Sequence, residues 1–383
     1  MLWFFYELQG LFWSVGNLLS QFIVLSLTFL SFVYVGKVHM IKHLPIFIIA
    51  LDVLIFMFTI YGIIYAMGDV QIAKDCAIDK PINYLKNIYN SLLSIYFFYY
   101  FSRKKMMTEE DLVKFVFFFF FMSVLSFVNC ELLSSVMIDE KGGYVNNKSY
   151  AFLSLFPLIV FLYKRPVIQY VLLTGSLFFV LLGMKRGAVL IAFVCLPVFF
   201  IDRMRNSSSG MKLAMSFLSL SVILGLCFFV SYLVNTNEFF LIRVKQTLEG
   251  ESSGRDIIYS SLWSYFIDNT TDFQFLFGSG ANATLSRTEN FAHNDWLEIG
   301  INQGVLGVSL YLFYWVAFIS ELKSLKGTGH VYIAYLLLVV IFFMKTIFSM
   351  SYSDMNIYAT CVLGYCLNYK RQNNEEKENI TCD

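Results

Sequence analysis

The composition of this chain is that of a membrane protein. Its 383 residues are 58% hydrophobic and only 14% charged, whereas soluble globular domains carry roughly 25% charged residues. The formal net charge of +1 is uninformative in itself, but the sequence offers no basic face for nucleic acid, so we expect no nucleic-acid partner. We expect a polytopic protein whose main partner is the lipid bilayer.

Apolar stretches long enough to cross a bilayer recur along most of the chain. A transmembrane helix needs about 20 predominantly apolar residues. The predicted fold class is therefore all-α, a polytopic transmembrane helical bundle of about eleven spans, or twelve if the amphiphilic first dozen residues form one more. The predicted spans lie near residues 14–36, 44–67, 84–101, 112–130, 149–163, 167–183, 187–201, 212–234, 302–320, 331–349 and 354–369.

Lysine and arginine are unequally divided between the two sets of short loops. The richer set includes Arg103, Lys104, Lys164, Arg165 and Lys323. Short cytoplasmic loops carry the excess of basic residues, so we place this set inside. The predicted parts are an N-terminal transmembrane bundle (1–234), a large periplasmic loop (235–298), C-terminal transmembrane helices (299–369) and a cytoplasmic tail (370–383).

The long connection at residues 235–298 differs from the other loops. Loops beyond about 15 residues are usually functional or disordered. This one has aromatic and aliphatic residues at helical spacing over residues 257–266. We therefore expect it to fold as short helices over the outer mouth of the bundle.

A pair of cations, Lys185 and Arg186, interrupts two apolar stretches on the side predicted to be outer. Residues 167–201 give about 52 Å of helix, too little for two full crossings of a ~30 Å core. The turn is therefore predicted to be recessed, where cations usually have an anionic partner. One interpretation is that the pair binds a phosphate group, and Lys345 could add positive charge to that site. Snorkelling to lipid headgroups is the other.

Arg255 opens a helical pattern after a flexible Ser-Ser-Gly. The guanidinium is a planar fork that grips phosphate oxygens in pairs. Arg243 is a weaker candidate of the same kind. The structural alternative is a solvated arginine in a capping sequence.

His293 precedes a hydrophobic helix that Asn294 and Asp295 can cap. An unperturbed histidine has a pKa near 6.5, which suits it to accept a proton from a hydroxyl group. Asp295 is the competing base, and Glu298 could orient the imidazole ring. The structural alternative is a loop histidine at the membrane interface. With only this histidine on the outer side, we expect no metal site there.

These residues resemble a known superfamily. His293, Asn294 and Leu297 form H-N-x-x-L, and after six residues Gly304 and Gly307 form G-x-x-G. This pattern resembles the signature of bacterial O-antigen ligases and O-antigen polymerases (Wzy). The similarity extends to the arrangement of many spans with one long outer loop just before the histidine helix.

Two further motifs are similar to those of the same superfamily. One is the turn Lys185-Arg186-Gly187, and the other is Arg255 in the long loop, followed by Trp263. The resemblance covers roughly residues 140–350.

The resemblance implies a metal-independent glycosyltransferase of surface-polysaccharide or lipopolysaccharide biosynthesis, which needs no cofactor. Its donor would be an undecaprenyl-pyrophosphate-linked oligosaccharide on the periplasmic face of the bacterial inner membrane. Arg186 and Arg255, with Lys185 beside them, would bind the pyrophosphate. His293 would activate the acceptor hydroxyl. A chain-length regulator and a flippase would be partners.

The acceptor remains open at this stage. A polymerase would move the growing glycan onto a lipid-linked repeat unit, and this is the leading hypothesis. An O-antigen ligase would transfer it to lipid A–core, and a capsule polymerase would use the same chemistry in another pathway. A lipid-linked oligosaccharide flippase is the alternative of another class. A flippase needs cations along a central cavity, whereas here they gather around one outer loop.

Overall fold

The described residues fold almost entirely as helices. The computed structural model describes residues 18–68, 81–132, 137–138, 144–205, 209–249, 254–288, 290–353 and 355–381. Within these ranges the helices are α1 (Leu18–His39), α2 (Ile46–Met67), α3 (Pro81–Leu92), α4 (Ser94–Arg103), α5 (Glu109–Leu132), α6 (Ser149–Ser154), α7 (Phe156–Ile159), α8 (Pro166–Leu182), α9 (Arg186–Arg205), α10 (Ser209–Thr236), α11 (Glu238–Leu248), α12 (Arg255–Asp268), α13 (Asp272–Phe277), α14 (Ala283–Thr288), α15 (Asp295–Ser324), α16 (His330–Phe348) and α17 (Ile357–Thr381).

Two short elements complete the description. A 3₁₀ helix, Val160–Leu162, follows α7 directly. The two-residue strands β1 (Met137–Ile138) and β2 (Tyr144–Val145) pair antiparallel between α5 and α6. The all-α prediction is confirmed apart from this small pair of strands.

Every predicted span overlaps a helix, but fewer helices than predicted are long and apolar enough to cross a bilayer. The prediction of about eleven spans is not confirmed as a count, because several of the predicted spans are short or interrupted, as at Leu93 between α3 and α4. Three shorter apolar helices are Ser149–Leu162, Pro166–Leu182 and Arg186–Ile201. Among the described residues, six helices meet the length and composition of a span: Leu18–His39, Ile46–Met67, Glu109–Asn129, Ser216–Thr236, Asp295–Ser324 and His330–Phe348.

The surface of these helices is as apolar as the interior. Phe29 of α1 is 70% exposed, Phe56 of α2 66% and Phe228 of α10 79%. An apolar surface this extensive would make a soluble monomer aggregate. In a bilayer these side chains contact lipid, whose tails are as apolar as they are.

The interior is built largely from aromatic contacts around α15. Phe47 of α2 packs against Tyr314 and Phe318 of α15, with ring centroids 5.4 Å and 5.1 Å apart. Phe318 in turn meets the edge of Tyr335 of α16 at 5.3 Å. These contacts fix α15 between α2 and α16, and α15 is the helix that carries the histidine motif.

The long connection folds as short helices, as predicted. Between α10 and α15 the chain forms α11 to α14, and α12 contains the predicted helical stretch 257–266. The assignment of this connection to the periplasm, and of the tail to the cytoplasm, stays a prediction.

Candidate functional site

Helix α15 is broken inside its first half. Gly304 has φ 68° and ψ −164°, a conformation essentially restricted to glycine. A regular helix pairs each carbonyl with the amide four residues later. Here the carbonyls of Ile301 and Asn302 accept from the N–H groups of Ser279, at 2.9 Å, and Gly280, at 3.0 Å. Non-helical backbone at membrane depth is tolerated where protein groups satisfy its hydrogen bonds. The loop segment that contains Ser279 and Gly280 therefore forms one unit with the break in α15.

Glycine is required on both sides of this contact. A Cβ atom on Gly304 would lie 2.5 Å from the backbone nitrogen of Gly278. A Cβ atom on Gly278 would lie 2.2 Å from the carbonyl oxygen of Asn302. The loop segment before α14 is therefore held against α15 by direct backbone contact.

Glu298, one turn into α15, holds the residue before the histidine. Its side chain is buried, and Oε2 accepts from the N–H of Ala292 at 2.8 Å. Oε1 accepts from Nδ2 of Asn302, at 3.0 Å, and from the hydroxyl of Thr284. Among the described residues no hydrogen bond joins Glu298 to the His293 ring. Its contact with that part of the loop is through the backbone.

His293 sits in a backbone conformation that favours glycine, with φ 52°. Strained residues of this kind cluster at functional sites. The next residue, Asn294, caps α15: its Oδ1 accepts from the N–H groups of Trp296 (3.0 Å) and Leu297 (3.2 Å). The predicted cap is confirmed, and it fixes His293 as the last loop residue but one before the helix.

The imidazole of His293 is neutral at physiological pH. Burial of the ring, together with the positive charges of Arg255 and Lys185, lowers its pKa to about 4. The two cations come from different parts of the chain, yet both act on one ring. The sequence predicts that Lys185, Arg186 and Arg255 share a site with His293, and in the structure Arg255 and Lys185 both act on the ring.

Arg255 is the first residue of α12 and follows Gly254, whose φ is 79°. Its Nη1 donates to the carbonyl oxygen of Phe348 at 3.0 Å. Tyr259, one turn later, lies beside both Arg255 and Asn294, and its hydroxyl donates to the carbonyl oxygen of His293 at 3.5 Å. Burial raises the pKa of Tyr259, against the effect of Arg255, so the phenol keeps its proton and stays a donor.

The Lys185-Arg186 pair forms a tight turn between α8 and α9. Met184 has φ 51°, and the Gly183 carbonyl accepts from the N–H of Asn146 at 2.9 Å. Arg186 begins α9, and both cations are half-buried within the protein. The depth of this turn in the membrane stays a prediction. Gly187 packs tightly, since a Cβ atom there would lie 3.0 Å from Cβ of Phe348.

Asp295 is buried and its carboxylate is fully engaged. The N–H of Ser351 lies 3.0 Å from each of its oxygens, and the hydroxyl of Tyr311 donates at 2.6 Å. These hydrogen bonds tie the start of α15 to Tyr311 and Ser351. Lys345 is also buried, and its Nζ lies over the rings of Tyr150 (5.1 Å) and Phe342 (5.3 Å).

Some features of the site were not predicted. Tyr259, one helical turn after Arg255, could have been found from that spacing. Residues 346–351 could not, because they lie at the end of an apolar span and carry no motif. Arg243 lies on α11, and its side chain falls outside the described residues, as do Ser252 and Ser253 before α12. No three metal-ligating side chains come together in the described part of the chain.

Comparison with known proteins supports the resemblance. Residues 170–312 match the family model described as O-antigen ligase (Wzy_C). This stretch runs from α8 into α15 and contains Lys185, Arg186, Arg255 and His293. No curated protein matches the chain. The resemblance to the superfamily of O-antigen polymerases and ligases is confirmed over the matched residues.

Proposed function

We propose that this chain, whose residues 170–312 match the O-antigen ligase family, is a glycosyltransferase that polymerises a bacterial surface polysaccharide. It would transfer the growing glycan from undecaprenyl pyrophosphate onto a lipid-linked repeat unit at the periplasmic face of the inner membrane. The single observation that carries the proposal is the convergence of Arg255 and Lys185 on the neutral ring of His293. A base beside two cations suits a reaction in which a hydroxyl attacks and a diphosphate leaves.

The donor pyrophosphate would lie against Lys185, Arg186 and Arg255. Preorganised cations stabilise charge as it develops on a leaving group, and they cost little reorganisation at the moment of reaction. Nη1 of Arg255 is held by the Phe348 carbonyl, and the five N–H donors of a guanidinium would still allow it to donate to phosphate oxygens. This arrangement supplies the leaving-group stabilisation without a metal ion.

His293 would act as the general base. The acceptor hydroxyl loses its proton to the neutral imidazole as its oxygen bonds to the anomeric carbon of the donor sugar. The glycosyl–phosphate bond breaks, and its electron pair leaves with undecaprenyl pyrophosphate. The proton on the ring is released to water in a later step, so the residue returns to its starting form.

Ligation to lipid A–core is the second candidate, because the description of the matched family is O-antigen ligase. The same cations and the same base would serve both acceptors. The two functions differ only in the sugar that carries the attacking hydroxyl.

A lipopolysaccharide gel of a deletion strain separates the candidates. Loss of a polymerase leaves core carrying one repeat unit, which is the expected result. Loss of a ligase leaves bare core and would overturn the assignment of the acceptor. If the lipopolysaccharide ladder is intact and the capsule is lost, the same chemistry belongs to a capsule pathway.

A further inference from the structure

A short segment after the matched family domain, residues 346–351 at the end of α16, contacts each part of the site. On the cation side, the carbonyl of Phe348 accepts from Nη1 of Arg255 at 3.0 Å. The side chain of Phe348 packs against Gly187, next to the Lys185-Arg186 pair. Phe348 therefore contacts Arg255 directly and the residue that follows the Lys185-Arg186 pair.

The same segment holds the helix that carries the base. Nε1 of Trp296 donates to Oγ1 of Thr346 at 2.9 Å. The N–H of Ser351 donates to the buried carboxylate of Asp295, with 3.0 Å to each oxygen. The hydroxyls of Ser351 and Tyr311 lie 3.1 Å apart and complete the network. The N-terminal turn of α15 is thus tied to residues 346–351 at two points.

We propose that residues 346–351 are a positioning segment that sets the place of the cations relative to His293. The proposal rests on the proposed function, since the distance that it fixes is the one between the base and the leaving group. Asp295 and Thr346 act through this segment, as positioning residues and not as catalytic ones.

The physical case is that three separate elements meet on one rigid support. The site is assembled from the turn before α9, the start of α12 and the start of α15, which have no common secondary structure. A displacement of about 1 Å in a reacting group can cost ~10²-fold in rate. The buried hydrogen bonds to Asp295 are costly to leave unpaired, so the segment resists such displacement.

Two substitutions test the positioning segment in the full-length protein in detergent. Asp295→Asn replaces the carboxylate that accepts from the N–H of Ser351, while keeping the shape of the side chain. Thr346→Val removes the acceptor of Trp296 without a change in charge or size. Ser309→Ala is the matched control, because Ser309 is an exposed residue of α15 that bonds only within its own helix.

The readout is the pH midpoint for carbethoxylation of His293 by diethyl pyrocarbonate, followed by peptide mass spectrometry. The charged and titratable groups around the ring are Arg255, Tyr259 and Lys185, with Asp295 and Glu298 on the helix that follows it. If Arg255 and Lys185 move away from the His293 ring and water reaches it, the midpoint should rise from about 4 toward 6.5. Loss of the Asp295 charge alone would leave the midpoint unchanged or lower it, because an anion can only favour the protonated ring. The sign of the shift therefore separates positioning from a simple charge effect.

We expect both variants to raise the midpoint and to raise the KM for donor, and Ser309→Ala to change neither. Unchanged or lowered midpoints in both variants would overturn the proposal. If Asp295→Asn does not accumulate as folded protein, Thr346→Val decides by the same measurement. The labelling needs no turnover, so a failure of the proposed function would appear separately, as a wild-type protein that makes no polymer.

Discussion

Nη1 of Arg255 donates a hydrogen bond of 3.0 Å to the carbonyl oxygen of Phe348. This bond joins the first residue of a helix in the long loop to the last residue of a membrane helix. It orients a guanidinium that also contacts Tyr259. It also places that charge where it lowers the pKa of His293. The pairing of cation and base in this site therefore depends on a backbone carbonyl that no sequence motif marks.

The first prediction concerns donor binding by Arg255. A hydrogen bond to a charged group is worth about 1.5–3 kcal/mol, so Arg255→Ala should weaken undecaprenyl pyrophosphate binding about 10- to 100-fold. Arg255→Lys should recover only part of the loss, because an ammonium is a point charge without the fork. Binding is measured on purified protein in detergent.

The matched control for Arg255 is Arg287→Ala. Arg287 is also a loop arginine, but its guanidinium stacks on Tyr265, 4.1 Å from the ring centroid, away from the site. It should bind the lipid like wild type. Equal affinity in Arg255→Ala and wild type would remove Arg255 from the pyrophosphate site.

The second prediction concerns pH. The ring of His293 has a pKa of about 4 in the donor-free protein, so kcat/KM should keep its acid limb near that value instead of near 6.5. A bound pyrophosphate offsets the charges of Arg255 and Lys185 and raises the pKa. The acid limb of kcat should therefore lie at higher pH than that of kcat/KM. Coincident limbs near pH 6.5 would contradict the electrostatics described here.

The same shift has a consequence for stability. In the unfolded chain the ring takes its proton near pH 6.5, whereas in the folded protein it does so only near pH 4. The stability that His293 contributes above pH 6.5 is therefore lost as the pH falls between these two values. In detergent, the thermal midpoint of wild type should fall relative to that of His293→Gln as the pH drops over this range. A constant difference between the two midpoints would show that no such contribution exists.

The third prediction concerns the break in α15. Gly304→Ala places a Cβ atom 2.5 Å from the Gly278 backbone and demands a φ of 68° from alanine. Conformations of this kind cost about 1–3 kcal/mol before any clash is counted. We expect a lower thermal midpoint and loss of activity. Gly300→Ala is the control, because its Cβ atom would meet Val308 at an ordinary 3.7 Å.

The fourth prediction concerns sidedness. The distribution of lysine and arginine places α12 in the periplasm and the α15–α16 loop in the cytoplasm. Single cysteines at the exposed positions Ser261 and Lys326, in a cysteine-free background, report this directly. An impermeant maleimide added to intact spheroplasts should label Ser261→Cys alone. Labelling of Lys326→Cys alone would invert the topology.

Much of the helical framework was predictable because apolar stretches and charged turns mark helices in a membrane. The cap at Asn294 and the helix over residues 257–266 follow from local sequence, and both are present. The sequence also singled out Lys185, Arg255 and His293 as chemical groups. The sequence did not indicate that residues 346–351 support these groups. That support depends on contacts between residues far apart in the chain, such as Arg255 with Phe348.

The break at Gly304 was unpredictable for a related reason. A glycine within an apolar stretch is compatible with a continuous membrane helix, and the predicted span 302–320 ran through it. The break exists because the loop carrying Gly278 docks on the freed carbonyls, and that partner lies outside the local pattern. Glu298 is similar: its spacing from His293 gave no hint that it would bind the backbone of Ala292.

The most direct test of the central claim is chain extension by purified protein from lipid-linked repeat units, with EDTA present. General-base catalysis contributes about 10²–10⁴-fold, so His293→Ala should lose that factor in turnover. It should bind undecaprenyl pyrophosphate like wild type, since the cations remain. His293→Gln should fail equally, because an amide cannot take a proton. Near-normal extension by His293→Ala, with Asp295→Asn inactive, would move the base to Asp295 and contradict this account.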